Sequence, residues 1–464
     1  MNGLSKFSLW LGAVLVAAAA FLWLTPWGGF AMNALPVGDG VSAQLACGGV
    51  FVSGRKLDDV VRHDIFRLSP LTKRDRFDLD DRSVTVTSFG LAPRTSIYRP
   101  GIGCTLLVDS DAAALRKQAD GIEPPSRAHR PRLWPEGDDV ALAPSPALTR
   151  AVETSFTDDT SSHDIDTRAI VVVQDGRIVA ERYADGFGPD TPQLGWSMSK
   201  SVTASLIGTL IAKGELALDA PAPVPEWTVA GDPRRAITLR NLLNMSSGLV
   251  FREPYDPGSD STAMLFESHD MAGYAATRAL AHPPGTYWSY SSGTANILSR
   301  IVKMKSGGTL KSLEEYARSK LFGPLGMTSA VFEPDESGNF VGSSYLYASA
   351  RDWARFGLFI LNDGTVGGRR LLPEGYVHFL CAPAPASPDK GYGAMFWLNG
   401  VDAKGAREFP HLPADYCAAE GHNDEFVAIF PSRDTVIVRL GWTGSDYRFD
   451  RDKHFAAILA ALGK

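Results

Sequence analysis

The chain has 464 residues, 44% of them hydrophobic and 21% charged, with a formal net charge of −6. This is the composition of an ordinary globular protein, long enough for one large or two unequal domains. The mildly acidic balance, with no basic patch interleaved with aromatics, excludes an electrostatic nucleic-acid binder, and no nucleic-acid partner is expected.

The first thirty residues stand apart. Lys6 precedes an apolar run from about Leu9 to Leu24, which continues through Pro26, Trp27 and Phe30. The run is long for a secretory h-region and just short of an ideal membrane span. A small-x-small site at Gly29-Phe30-Ala31 is weak, so residues 1–30 are expected to be an uncleaved signal-anchor. The body of the protein would then lie outside the cytoplasm, on the periplasmic side, with the membrane as a partner through this segment. Four cysteines fit that compartment, and an even count in an exported chain points to disulfides. Sequence proximity favours Cys47 with Cys104 and Cys381 with Cys417, out of three possible pairings. No C-x-x-C or His/Cys cluster calls for a metal, and no cofactor is expected.

Residues 31–120 read as a small β-rich module. Gly48–Arg55 and Ser83–Phe89 have the look of short strands, and Gly101, Gly103 and Cys104 lead into Thr105–Val108. Residues 121–148 carry six prolines, from Pro124 to Pro146, and read as a Pro-rich linker. The large domain is expected to occupy residues 149–464. It opens with the apolar run Ala169–Val173, turned by Asp175-Gly176 into Arg177–Tyr183, a hairpin signal.

Trp196-Ser197-Met198-Ser199-Lys200-Ser201 follows, leading into a run in which Val202, Leu206, Ile207, Leu210 and Ile211 recur at helical spacing. The run is apolar almost all round and therefore central. A helix starting at Ser197 puts Ser197 and Lys200 on one face, a turn apart. An amine can then take the serine proton, which an otherwise weak nucleophile requires. Further helices are expected at Ile237–Met245, after Tyr290, after Thr309, and from Ser349, where Asp352 lies at the capping position. Phe426–Phe430 and Thr435–Leu440 read as strands, and His454–Leu462 as a closing helix. Strands at both ends with helices between predict an α+β fold. One antiparallel sheet would be built from distant segments, and a helical lobe would leave a cleft beside it.

Taken together, seven stretches resemble the serine β-lactamase and penicillin-binding-protein superfamily, most closely its class C-like serine hydrolases, which include esterases and 6-aminohexanoate-dimer hydrolases. They are Trp196–Ser201, Gly214–Asp219, Leu242–Leu249, Pro284–Ser292, Leu321–Met327, Ala350–Gly357 and Gly421-His422. The resemblance covers about residues 165–464 and implies the β-lactamase/transpeptidase-like fold. It also implies an acyl-enzyme on Ser197, with Lys200 as proton acceptor and Tyr290, in the family's Tyr-x-Asn position, as proton relay. Ser292 stands where many relatives have asparagine. His422 stands where lactamases carry the lysine of Lys-Thr-Gly, so a titratable imidazole replaces a permanent cation. Asp424 occupies a position where relatives usually have glycine, and its side chain is expected to crowd the cleft. The backbone N–H of Glu425 would complete an oxyanion hole with that of Ser197.

The expected function is hydrolysis of a small-molecule ester or amide, with a β-lactam as one case. Two rivals are a Ser197–His422–carboxylate triad, which would survive Lys200→Ala, and a membrane-tethered penicillin-binding-type sensor with little turnover.

Overall fold

A computed structural model describes residues 26–157, 165–444 and 447–463, together with Trp10, Gly12, Val14 and Ala20. The apolar run expected to anchor the chain falls almost wholly outside the described residues.

The N-terminal module is built on one helix, α1 (Pro26–Cys47), laid across a four-stranded antiparallel sheet. Its strands are β1 (Asp75–Asp80), β2 (Ser83–Ser88), β3 (Leu91–Arg99) and β4 (Gly103–Leu106), in that spatial order. Among the described residues, Ala34–Val52 is the one helix long and apolar enough to cross a membrane, and 67% of it is buried within the protein. It serves here as a core helix. The strand expected at Gly48–Arg55 is absent, because the chain continues from α1 into a π turn at Gly48–Val52. Packing overrides the β-branched pattern at this point. The backbone passes so close to its neighbours that a β-carbon at Gly48 would sit 2.0 Å from the Tyr347 hydroxyl, and one at Gly49 2.6 Å from Val60. The Cys47–Cys104 disulfide fastens the end of α1 to β4. Buried Glu333 accepts from Gln44 and from the Cys104 N–H, each at 2.7 Å, and ties the module to the larger domain.

Residues 121–148 lie as a strap rather than a free tether. Trp134 is buried, and the strap carbonyls of Pro135 and Gly137 accept from Arg355. Next comes α2 (Pro146–Thr154), capped by Ser145 with proline in its first turn.

The large domain is organised on a six-stranded antiparallel sheet. Its strands are β5 (Thr167–Gln174), β6 (Arg177–Tyr183), β7 (Trp397–Leu398), β8 (Cys417–Glu420), β9 (Phe426–Phe430) and β10 (Thr435–Gly441), in spatial order β7-β8-β9-β10-β5-β6. The continuous apolar runs arise because both faces of the sheet are covered. Val171, Val173, Val427, Ile429, Val436 and Val438 face the main core, with Trp353 and Phe356. Ile170, Val172, Ala428, Phe430 and Ile437 face a second core that includes Leu148, Phe455 and Ile458. The helices of the main lobe are α3 (Met198–Ala212), α4 (Ser292–Lys305) and α5 (Ala350–Leu361). The closing helix is α6 (Arg451–Ala461), three residues earlier at its start than the periodicity predicts. In α3 every residue from Met198 to Leu210 is buried, as a helix apolar on all sides must be. The fold is the β-lactamase/transpeptidase-like α+β arrangement.

Candidate active site

A short strand, Gln193–Leu194, pairs with Leu346–Ala348 and delivers the chain to the start of α3. The Gly195 N–H donates to the Leu346 carbonyl at 2.9 Å. Trp196 then adopts φ +44, a left-handed conformation costly for a bulky residue. Its indole is wedged between the rings of Trp442 at 5.7 Å and His422 at 5.6 Å. This held turn sets Ser197 at the N-cap of α3.

Lys200, one turn on, is 1% exposed. Its Nζ lies 2.9 Å from Ser197 Oγ, 3.2 Å from Ser292 Oγ and 3.0 Å from the Ser343 carbonyl oxygen. Burial lowers its affinity for a proton to a pKa of about 8, against an opposing pull from Glu253. Nζ also stands 4.7 Å from the centre of the Tyr290 ring. Tyr290 packs against Tyr392 at 5.9 Å and Trp397 at 5.5 Å. Burial pushes its phenol well above the usual range, opposed in part by a hydrogen bond with Ser197. The site thus brings together a hydroxyl, an amine of lowered basicity and a phenol. The groups hydrogen-bonded to the serine hydroxyl are Lys200 and Tyr290, whereas the His422 ring lies against Trp196 and, at 5.2 Å, Tyr255.

His422 lies at the cleft mouth, at the β8–β9 turn, with one part of its surface open to solvent and its ring packed against Trp196 and Tyr255. Desolvation by its aromatic neighbours and the Arg448 charge hold its pKa below the ordinary value. Glu425 points the other way. Its carboxyl is buried, accepts from the Asn423 N–H at 3.1 Å, and is raised to about 8 by desolvation.

Asp424 does not crowd the cleft. Its backbone has φ +60, which accounts for the glycine expected there. The side chain turns inward and accepts from the Phe449 N–H at 2.8 Å, fastening the segment after β10. That segment supplies Tyr447, Arg448 and Phe449 to a cavity of about 940 Å³, which also contains Ser197, Tyr290 and His422.

Two contributors had escaped the sequence reading. Glu253 sits in a loop of no regular pattern, yet its carboxylate takes both the N–H (2.8 Å) and the hydroxyl (2.6 Å) of Ser292. No local signal marks it. Arg439 is fully buried and donates to the carbonyls of Asn423 (3.1 Å) and Asp424 (2.6 Å), bracing the β8–β9 turn. A lone arginine inside Thr435–Leu440 was a legible signal, since a buried charge demands partners.

Residues 149–462 match the Beta-lactamase family model. The chain is 26% identical over 312 residues to a 6-aminohexanoate-dimer hydrolase of Paenarthrobacter ureafaciens, covering 61% of this chain and 74% of that one. It is 29% identical over 159 residues to Esterase EstB of Burkholderia gladioli, covering 31% of this chain and 39% of that one. A penicillin-binding protein homolog from Caulobacter crescentus superposes with a TM-score of 0.52 at 18% identity, covering 70% of this chain and 99% of that one. The chain therefore belongs to the Beta-lactamase family and is a serine hydrolase of the β-lactamase-related type.

Proposed function

We propose that the protein hydrolyses a small-molecule ester or amide through an acyl-enzyme on Ser197. The observation that carries this is the 2.9 Å contact between Ser197 Oγ and a buried amine of lowered basicity. Lys200 takes the serine proton as Oγ attacks the carbonyl carbon. Tyr290, hydrogen-bonded to Ser197, hands a proton to the leaving group. Water then attacks the ester, with the same groups run in reverse. The N–H groups of Ser197, at the head of α3, and Glu425 bind the oxyanion. Ser292 orients Lys200.

The sheet edge carries exposed His422 where a lysine would hold a substrate carboxylate. Near neutral pH an imidazole held below its ordinary pKa is uncharged, which favours esters and neutral amides over acidic β-lactams. Such names as 6-aminohexanoate-dimer hydrolase and esterase among the relatives agree with this range. The two disulfides and the apolar run near the N-terminus support export, with residues 1–30 holding the catalytic domain to the outer face of the membrane.

The test is labelling with a fluorophosphonate probe beside turnover of an ester, amide and β-lactam panel. Ser197→Ala abolishes both. Labelling without turnover of any class refutes the hydrolase reading and leaves a receptor.

A further inference from the structure

Lys200 can act as a base only after it has shed a proton, and the cleft contains a place for that proton. A single hydroxyl, Ser292 Oγ, lies 3.2 Å from Lys200 Nζ and 2.6 Å from Glu253 Oε1. The direction of this chain is fixed by its ends. An ionised Glu253 can only accept, so Ser292 donates to it and receives from the lysine ammonium. The second carboxylate oxygen is held by the Ser292 N–H at 2.8 Å, at the head of α4, so the carboxylate cannot rotate away. Lys200 has two further partners. The Ser343 carbonyl accepts one N–H, and Ser197 Oγ stands where the lone pair of a neutral amine can receive its proton.

We propose that Glu253, acting through the Ser292 hydroxyl, receives the proton that Lys200 must release before it can take the one on Ser197, an inference that rests on the Ser197–Lys200 mechanism above. The step balances without a co-reactant. The ammonium passes a proton to Ser292 Oγ, and the proton already on Ser292 passes to Glu253 Oε1. An ammonium–carboxylate pair becomes an amine–carboxylic acid pair with the same number of protons. Rotation about the lysine Cε–Nζ bond then aims the lone pair at Ser197. Burial favours the neutral pair, since it raises Glu253 and lowers Lys200. The two groups titrate together. Among the described residues, the charge that acts on Glu253 is that of Lys200; the phenols of Tyr255, Tyr290 and Tyr392 also face it, and burial raises all three. Glu253 is thus a positioning residue that holds a proton, not merely a cap on α4.

Glu253→Gln keeps the shape and an acceptor for Ser292 but cannot take a proton. It is expected to lower kcat/KM for a chromogenic ester about 10²-fold at neutral pH, the low end of what general-base assistance is worth. The diagnostic readout is the acid limb of kcat/KM against pH. With the relay, the wild-type limb reports the Lys200–Glu253 pair taking up its second proton. In Glu253→Gln it reports Lys200 alone and moves to higher pH. Without the relay, removing the carboxylate takes away a cation-stabilising charge, Lys200 loses its proton more readily, and the limb moves to lower pH. Ser292→Ala is expected to shift the limb in the same direction as Glu253→Gln. The double variant should be no slower than either single one, because both interrupt one path.

A downward shift, or rates equal to wild type, overturns the relay. These results are separable from failure of the underlying mechanism. In that case Ser197→Ala and Lys200→Ala would leave fluorophosphonate labelling intact. A thermal midpoint for each variant, matched to wild type, establishes that the rate changes are not loss of fold.

Discussion

Lys200→Met separates the cost of burying an amine from its use. Methionine fills the same stem without a charge. Lys200 is 1% exposed, and its pKa falls from 10.5 to about 8. At ~1.4 kcal/mol per pH unit, folding with the ammonium buried costs about 3 kcal/mol relative to the unfolded chain. Below pH 8 both states hold the proton, and the wild type bears this penalty in full. Between about 8 and 10.5 the unfolded chain keeps the proton and the folded one releases it, so wild-type stability rises with pH. The variant has no such group. It also leaves the Ser343 carbonyl without its 3.0 Å donor, a cost of ~1–3 kcal/mol that does not change with pH. Urea unfolding of both proteins at half-unit steps from pH 7 to 10 reads the difference directly. The wild type should gain on the variant with a slope approaching ~1.4 kcal/mol per unit in the upper half of the range. Parallel stability curves would refute the claim that this lysine is buried with lowered basicity, and with it the basis for Ser197 activation. Hydrolysis by Lys200→Met should be down by at least ~10²-fold at every pH.

Three further variants probe the surroundings of the site. A β-carbon at Gly421 would lie 2.6 Å from the Gly195 carbonyl oxygen, so Gly421→Ala must push the β8–β9 turn away from the turn preceding Ser197. We expect kcat to fall roughly 10- to 100-fold with the thermal midpoint little changed, and a wild-type kcat would exclude this contact. Asp424→Gly suits the φ of +60 but frees the Phe449 N–H, so KM should rise several-fold through a loosened cavity wall while kcat holds; an unchanged KM in steady-state kinetics would show that the wall does not depend on that bond. Removing the Cys381–Cys417 bridge, which spans 36 residues and ends on β8, should cost about 3–4 kcal/mol in the chain-entropy view. Calorimetry of the Cys381→Ala/Cys417→Ala protein checks this, and an unshifted midpoint contradicts it.

The local grammar of this chain is strong enough to be read without coordinates. The Asp175-Gly176 turn has both residues at positive φ, +50 and +71, as a tight hairpin needs. Ser349 caps α5 through the Asp352 N–H. The pairing Cys47–Cys104 and Cys381–Cys417 is the one that chain proximity favours. Ser197 and Lys200 meet because helical geometry alone brings positions three apart onto one face. What escaped the sequence has a common cause. The π turn at Gly48–Val52, the inward turn of Asp424 and the carboxylate of Glu253 are all set by partners distant in the chain: Tyr347, Phe449 and Ser292. Periodicity reports which face of an element is apolar, but not which loop will be folded over it. The sequence by itself determined that Ser197 and Lys200 would meet, and which strands make the sheet beside them, because these depend on neighbours within a turn or a strand. Only the tertiary structure decided what surrounds that pair. The lysine's basicity is set by burial, and the carboxylate that meets it through Ser292 sits on a loop whose conformation no short-range rule dictates.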